Sequence, residues 1–360
     1  MSKKIKVAVA ISGGIDSAVA AYLLKKKGYD VTAIFLQLTD SKPNFSPLSI
    51  AKFLDIPYVK FDLRNVFKQA VIDYFINAYL RGMTPNPCII CNQKIKFGLL
   101  LEKAKRMGFD YIATGHYARK CWDEKSRRYL LLRSIDKEKE QSYFLFALNQ
   151  EQLSHVIWPL GDLSKIKVKE IALSIDLPNI NIKESQELCF IPKGDYRYFL
   201  KQYIKSDYEI GEIINTKGEH LGWHKGLWYY TVGQRHGIGI PEATPYYVRA
   251  LNVKQNRLVV AKREELYSSE MIVKDVNFIA FQKLQKPVQA IVKVRYQHPG
   301  TRATLLPLTD NKIKVVFAEP QFGITPGQAA VFYKEDICLG GGWISQQINK
   351  LINEETNKDS

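Results

Sequence analysis

The first half of the chain alternates short apolar runs with stretches whose apolar residues recur at helical spacing. The apolar run at 5–12 predicts a buried strand, and a helix is expected over 16–27 because lysines fill its last turn and Gly28 follows it. Further elements are expected along this half: strands at 31–38, at the end of 53–63 and at 111–118, and helices over 66–82 and from Cys91 onward. This alternation predicts an α/β fold with a doubly wound, mainly parallel sheet, which binds ligands at the carboxyl ends of its strands.

The second half has a different pattern, with short β-rich runs that meet at polar turns from about residue 211 onward. Three hairpins are expected, pairing 248–253 with 257–262, 303–308 with 312–317, and 329–333 with 337–342. The predicted organisation is therefore a catalytic α/β domain at 1–205, a small β-rich central domain at 206–267 and a C-terminal β-barrel at 268–352.

Charge and cysteine usage narrow the class of protein. The chain has 52 Lys and Arg against 36 Asp and Glu, a net charge of +16. Such an excess is typical of a protein with a polyanionic partner such as nucleic acid, and a solvated lysine-rich surface is the alternative that charge alone leaves open. Its five cysteines are an odd number and are spread unevenly, unlike a secreted disulfide framework. Since no apolar run approaches the roughly 20 residues that span a bilayer, we expect a cytoplasmic protein.

The strongest single motif is Ser-Gly-Gly-Ile-Asp-Ser at 12–17, between the first predicted strand and helix. Two glycines let the backbone turn tightly around an anion, and the helix N-terminus offers unpaired N–H groups and a partial positive charge. Asp16 is expected either to hold Mg²⁺ or to orient the loop. No Gly-Lys-Ser/Thr follows, so the motif is not a Walker A loop.

Cysteines form two further motifs, TPNPCIICN at 84–92 and ESQELCFI at 184–191. Cys91 is expected at a helix start close to Lys94 and Lys96, where the N-terminal dipole and the ammonium groups favour the thiolate. Three interpretations are open: sulfur chemistry shared by Cys91 and Cys189, an iron–sulfur cluster on Cys88, Cys91 and Cys189, or inert buried thiols.

The loop at 12–17 resembles the PP-loop of the N-type ATP pyrophosphatases, which cleave ATP between the α and β phosphates. With TPNPCIICN, IKFG, YIATGHYAR, ESQELCFI, YTVGQRHGIGI and TPGQAAVFY in this order, nearly the whole chain resembles the tRNA-specific 2-thiouridylases. Two features depart from that pattern: Cys88 stands where many members have Asp, and the segment between Leu38 and Phe53 is short.

The resemblance implies a role for each matching residue. Cys91 would be the nucleophile and Cys189 the persulfide carrier, and the two would form a disulfide during turnover. The nucleotide would be bound by Ala10, Ile11, Ser12, Gly13, Gly14, Ile15, Asp16, Ser17, Leu36 and Gly115. The target base would meet Asn86, Pro87 and Cys88. The tRNA would be contacted by His116, Lys139, Glu140, Gln141, Arg295, Tyr296 and Gln328.

The implied activity is transfer of sulfur to the C2 position of a wobble uridine in tRNA, with ATP, Mg²⁺ and a persulfide donor protein. Basic and aromatic residues of the central region are expected to hold the RNA: His224, Lys225, Arg235, His236, Trp223, Trp228, Tyr229 and Tyr230. Two rival functions are an amide ligase similar to NAD synthetase and an RNA-binding protein with a decayed ATP site.

Overall fold

A computed structural model describes residues 4–43, 45–178, 188–191, 195–204, 210–308 and 311–348. Its strands form three sheets, one of which combines strands from the first and the last part of the chain.

The first part is built on parallel strands. Its strands are β1 (Lys6–Ala10), β2 (Asp30–Gln37), β3 (Tyr58–Asp62), β4 (Tyr111–Ala113), β5 (Ala118–Asp123), β6 (Arg128–Arg133) and β7 (Val156–Ile157). The five-stranded sheet has the order β3-β2-β1-β4-β7 with every neighbouring pair parallel, which confirms the predicted sheet type.

Helices cover both faces of this sheet. The helices of the described residues are α1 (Ile15–Lys26), α2 (Pro47–Phe53), α3 (Arg64–Phe67), α4 (Asp73–Leu80), α5 (Pro87–Ile90), α6 (Leu100–Arg106), α7 (Gln150–Ser154), α8 (Lys165–Ser174) and α9 (Tyr196–Lys201). A π-helical segment, Lys68–Ile72, joins α3 to α4, and another, Cys91–Leu99, joins α5 to α6. Because successive residues of a strand point to opposite faces, Val7 and Val9 pack with α1 while Ala8 packs with Phe97 from the cysteine-bearing helix.

The central part is a small β-domain. Its strands β8 (Gly211–Ile214), β9 (His220–His224), β10 (Tyr247–Asn252) and β11 (Arg257–Ala261) form a sheet in the order β10-β11-β8-β9. The antiparallel pair β10–β11 confirms the first predicted hairpin.

The last part is a closed barrel. Its strands are β12 (Tyr267–Phe278), β13 (Val288–Lys293), β14 (Thr301–Pro307), β15 (Ile313–Phe322), β16 (Ala329–Lys334) and β17 (Ile337–Ile348). Long β12 pairs with both β15 and β17, which closes six strands around one apolar core. The predicted hairpins β14–β15 and β16–β17 are both confirmed.

Two features differ from the sequence prediction. The strand expected at 111–118 is two strands, because the backbone leaves the sheet after Ala113 and re-forms a strand only at Ala118. The second strand, β5, pairs with β6 in a hairpin that extends the barrel sheet, since Leu131 and Leu132 of β6 lie opposite Cys338 and Ile337 of β17. The first and last parts of the chain therefore share one eight-stranded sheet.

Candidate active site

The phosphate loop connects β1 to α1 at the carboxyl edge of the parallel sheet. Gly13 has φ +93°, and a Cβ there would lie 2.3 Å from the carbonyl oxygen of Phe45, so only glycine fits under this segment. Gly14 is the N-cap of α1 and no side chain caps the helix. The first N–H groups of α1 therefore face the loop without a side-chain acceptor, an arrangement that fits a phosphate group.

Serine hydroxyls hold this loop in shape. The Ser12 backbone N–H donates to Ser17 Oγ at 3.2 Å, and Ser17 Oγ donates to the carbonyl of Gly14 at 2.9 Å. Ser17 is buried whereas Ser12 is exposed, so Ser12 is the hydroxyl that can reach a ligand. Ala10 ends β1, and Ile11 is buried with its N–H bound to Ile34, which leaves backbone rather than side chain at those positions for a nucleotide.

Asp16 lies in the first turn of α1 and orients the loop through two partners. Its carboxylate accepts from Tyr117 Oη at 2.8 Å and from Lys165 Nζ at 2.6 Å. Lys165 is the first residue of α8 and is only 7% exposed. Of the two roles expected for Asp16, orientation of the loop is therefore favoured over binding of Mg²⁺, because a buried ammonium group already balances its charge.

The loop after β4 closes the other side of this site. A Cβ on Gly115 would lie 2.8 Å from the backbone of both Asp16 and Ser17, so the loop packs directly on the start of α1. His116 is half-buried, and its Nδ1 is hydrogen-bonded to Thr114 Oγ1 at 2.7 Å. Burial lowers the pKa of His116 well below its usual value, and the charge of Lys96 lowers it further. Leu36 near the end of β2 is partly buried between two core clusters.

The helix that carries Cys91 begins earlier than expected. It starts at Pro87, with Asn86 as the N-cap, because proline is well suited to the first helical position and has no N–H to leave unpaired. Cys88 consequently occupies the first turn, whereas Cys91 lies one turn further on, at the start of the π-helical segment. The prediction of Cys91 at the helix start is therefore wrong.

Burial dominates the chemistry of Cys91. The side chain is buried, which raises the pKa of the Cys91 thiol to about 12, and only the charge of Lys96 opposes that rise. Lys94 is exposed and has no such influence, so one of the two expected ammonium groups acts on the thiol. Cys91 is a thiol in this conformation.

Cys189 lies in the electrostatic neighbourhood of Cys91 and Cys88. Its charged form would raise the pKa of both thiols, and Lys96 lowers the pKa of all three. The adjacent Phe190 fixes the segment, since its ring packs edge-on against Phe67, Phe75 and Phe199 in the core cluster that also contains Cys91. The rest of this motif, residues 184–187, lies outside the described residues.

All five cysteines are free thiols in this structure. Within the described ranges, no group of three or more Cys, His, Asp or Glu side chains is placed to hold a metal ion. The iron–sulfur interpretation of Cys88, Cys91 and Cys189 therefore has no support in the geometry. Cys338 is buried in the barrel sheet, while Cys121 is exposed on β5.

The loop before α5, residues 83–86, is called the base loop here because it leads into Pro87 and Cys88, which with Asn86 are expected to meet the target base. The barrel holds this loop: the Thr84 N–H donates to the carbonyl of Pro326 at 2.9 Å, and Gln328 Nε2 donates to the carbonyl of Thr84 at 3.1 Å. Gln328 is thus directed at protein backbone in this structure.

The other residues expected to meet tRNA fall into two groups. Arg295 is exposed, and Tyr296 is half-buried with its ring centroid 4.4 Å from that of Phe144. By contrast, Glu140 is buried and accepts from the Ser142 N–H, and Gln141 exchanges hydrogen bonds with the backbone of Tyr117. The backbone N–H of half-buried Lys139 donates to Asp136.

The basic and aromatic residues of the central domain are divided in the same way. His224, Trp228 and Tyr230 are buried, and His224 Nδ1 accepts from the N–H of Gly226, so these three are core residues. Trp223 is 63% exposed. The exposed remainder of the set is Trp223, Lys225, Arg235 and His236.

No helix within the described part of the chain has the length and apolar character to cross a membrane.

The sequence analysis did not predict Lys165 and Tyr117 as site residues, because both reach Asp16 only through tertiary packing.

Three sequence profiles match the chain in order. They are described as a tRNA methyl transferase HUP domain at residues 5–193, a tRNA methyl transferase PRC-barrel domain at 197–262 and an aminomethyltransferase β-barrel domain at 268–344. Among solved structures, an NMN synthetase from Francisella tularensis is 18% identical over 51% of this chain and 67% of its own, with a TM-score of 0.35, a likeness too weak to bear on function.

Curated relatives cover nearly the full length. A tRNA-specific 2-thiouridylase from Thermoanaerobacter sp. (strain X514) is 43% identical over 95% of this chain and 98% of its own. One from Moorella thermoacetica is 44% identical over 93% of this chain and 98% of its own. With the phosphate loop, the neighbouring thiols and the three-part fold, these likenesses show that the chain belongs to the family of tRNA-specific 2-thiouridylases.

Proposed function

We propose that the protein is a tRNA-uridine 2-sulfurtransferase that adenylates the C2 carbonyl oxygen of the wobble uridine and replaces that oxygen with sulfur. The observation that carries the proposal is that Cys88, Cys91 and Cys189 are free thiols whose pKa values are all lowered by the charge of Lys96, in a chain whose phosphate loop has no side-chain cap. A methyl transfer would need no such set of thiols, whereas sulfur transfer through a persulfide needs two.

The phosphate loop would bind ATP, which supplies the AMP group that makes the uracil oxygen a leaving group. The chain contributes the N–H groups of α1, the exposed hydroxyl of Ser12 and a loop kept in shape by Ser17. Gly13 allows close backbone approach, and Gly115 keeps the facing loop against α1.

The described residues do not offer a carboxylate set for Mg²⁺. Asp16 is the acidic residue of the phosphate loop, and its carboxylate is bound to Lys165 and Tyr117. No group of three metal-ligating side chains occurs in the described part of the chain. No step of the sulfur transfer is therefore assigned to a metal held by the protein.

Sulfur transfer would use both cysteines. The terminal sulfur of a persulfide on exposed Cys189 attacks C2 and AMP leaves; Cys91 then attacks the sulfur of Cys189, which frees the 2-thiouridine and forms a Cys91–Cys189 disulfide. In an alternative order, Cys91 first attacks that sulfur and releases hydrosulfide, which attacks C2. Both routes end in the same disulfide, which a cytoplasmic reductant must reset.

Cys91 must lose its proton before either attack. Burial keeps it a thiol in this conformation, and Lys96 is the described cation that stabilises its thiolate. Binding of the adenylated uridine would therefore have to be accompanied by deprotonation of Cys91, which keeps the nucleophile unreactive until substrate is present.

The RNA partner would be the anticodon region of tRNA, with the wobble base turned out of its stack to reach the base loop. Exposed Arg295, Lys225, Arg235 and His236 would meet phosphates, and exposed Trp223 would stack on a base. A separate donor protein would deliver sulfur to Cys189.

Thiolation of unmodified tRNA tests the proposal. The reaction contains ATP, Mg²⁺ and a persulfide donor, and 2-thiouridine is measured by mass spectrometry. We expect product from the wild type and from Cys121→Ala, a matched control with an exposed thiol outside the group, and none from Cys91→Ala or Cys189→Ala. ATP turnover that depends on a small carboxylate and not on tRNA would support the amide ligase instead.

Cys88→Ser separates the persulfide route from an iron–sulfur route. The persulfide route needs only Cys91 and Cys189, so this variant should retain activity. Loss of activity in Cys88→Ser, together with absorbance near about 400 nm in anaerobically purified wild type, would favour a cluster.

A further inference from the structure

We infer that residues 325–328 of the barrel clamp the base loop, and that Gln328 is a positioning residue that acts through Thr84. This inference rests on the proposed function for its kinetic consequences only. The clamp itself is a contact between two parts of the folded chain.

Both polar backbone atoms of Thr84 are bound by this turn. Its N–H donates to the carbonyl of Pro326 at 2.9 Å, and its carbonyl accepts from Gln328 Nε2 at 3.1 Å. The same amide lies 3.5 Å from the carbonyl of Pro85. The Gln328 amide nitrogen is thus directed at the backbone of the base loop.

The approach is too close for a side chain. Gly327 has φ +90°, and a Cβ at that position would lie 2.8 Å from Met83 Cβ and 3.0 Å from the nitrogen and oxygen of Thr84. The turn is itself fixed on the barrel, because Gly327 N–H donates to the carbonyl of Ile344 and the carbonyl of Gln328 accepts from Ile344 N–H.

A short segment with restricted backbone connects Thr84 in the clamp to Cys88. Asn86 occupies the N-cap position of α5, and its backbone is hydrogen-bonded to the hydroxyl of Tyr74. The centroid of the Tyr74 ring lies 6.3 Å from that of Trp343 on β17. Pro85 and Pro87 restrict the backbone between Thr84 and Cys88. A shift at Thr84 is therefore passed on to the base-contacting residues, and displacements of about 1 Å can cost roughly a hundredfold in rate.

Hydrogen exchange tests the clamp without reference to activity. We expect Gln328→Ala and Gly327→Ala to speed amide exchange in a peptide that spans the base loop by roughly tenfold. Each variant weakens the clamp, so the Thr84 N–H leaves the Pro326 carbonyl more often. Gly323→Ala is the matched control: it has the same left-handed strain, at φ +63°, but its nearest neighbour would be Gly233 Cα at 3.7 Å. Unchanged exchange in both clamp variants would overturn the inference.

Kinetics then separate positioning from RNA contact. A positioning role predicts that Gln328→Ala lowers kcat roughly tenfold or more while KM for tRNA stays within about twofold. Arg295→Ala is the comparison, because loss of an exposed cation should raise KM for tRNA. A raised KM with unchanged kcat in Gln328→Ala would show a direct RNA contact and overturn the positioning role.

Failure of the proposed function gives a different result. A wild type that makes no 2-thiouridine would contradict the sulfurtransferase, yet faster exchange in the clamp variants would still support the clamp. Gln328→Ala leaves the backbone unstrained, so it keeps the test decisive if Gly327→Ala does not fold.

Discussion

The ammonium group of Lys165 lies 2.6 Å from the carboxylate of Asp16, although 149 residues separate them in the chain. A carboxylate in the first turn of α1 would repel a phosphate bound at the adjacent loop. The buried ammonium cancels that charge and also fixes the side chain, so the positive field of the helix N-terminus is left for the ligand.

Replacing Lys165 should therefore weaken ATP use. In Lys165→Met, Asp16 keeps its charge without a cation, and we expect KM for ATP to rise by roughly tenfold or more. The measurement is tRNA-dependent release of AMP as a function of ATP concentration. Lys167→Met is the control, because Lys167 is exposed on the same helix and pairs only with Glu170 in the described structure. Equal KM values in the two variants would contradict the role given to Lys165.

Lys96 should control the reactivity of three thiols together. Its charge lowers the pKa of Cys88, Cys91 and Cys189, so Lys96→Met should slow alkylation of all three by iodoacetamide at neutral pH, by roughly threefold or more. Site-resolved mass spectrometry measures the rates. Lys94→Met, which removes an exposed ammonium on the same helix, should leave them unchanged. Similar slowing in Lys96→Met and Lys94→Met would contradict a specific role for Lys96 and indicate a general effect of the net charge.

Alkylation of Cys91 should rise steadily with pH. With its pKa raised to about 12 by burial, the thiolate fraction grows roughly tenfold per pH unit from about pH 7 to about pH 10, without a plateau. Because a raised pKa favours the protonated thiol, the reactivity of Cys91 falls as pH falls. Adding ATP and tRNA should increase the rate at fixed pH if substrate binding promotes deprotonation. A plateau near pH 8 in the free protein would show that Cys91 is not the buried thiol described here.

Phe190 should be needed to hold Cys189 in place. Its ring packs against Phe67, Phe75 and Phe199, and removing it leaves a cavity worth about 3–5 kcal/mol of unfolding free energy. We expect Phe190→Ala to lower thermal stability and to abolish disulfide formation between Cys91 and Cys189. Phe190→Leu should recover most of both, because it refills much of the volume. If Phe190→Ala is destabilised but still forms the disulfide normally, Phe190 contributes to packing and is not needed to position Cys189.

The sequence predicted the elements whose patterns are local. The parallel sheet, the three hairpins and the loop at 12–17 depend on apolar spacing and turn residues that lie close together in the chain. The helix start was expected at Cys91 and lies one turn earlier, at Pro87, because proline suits the first helical position.

Burial and pairing over long distances could not be predicted. Lys165 looks like its neighbours Lys167 and Lys169 in sequence, and only packing of α8 against α1 gives it Asp16 as a partner. For the same reason, Cys91 was expected as a thiolate. The residues that follow it in sequence are polar and basic, whereas in the fold Cys91 belongs to an apolar cluster with Phe75 and Phe190.

The hairpin β5–β6 also limits how this chain can be divided. Leu131 and Leu132 complete the edge of β17, so cutting the chain near residue 268 would leave β17 without its partner in one fragment and β6 in the other. Exposed strand edges pair with other chains, and a barrel expressed alone should therefore aggregate more readily than the whole protein.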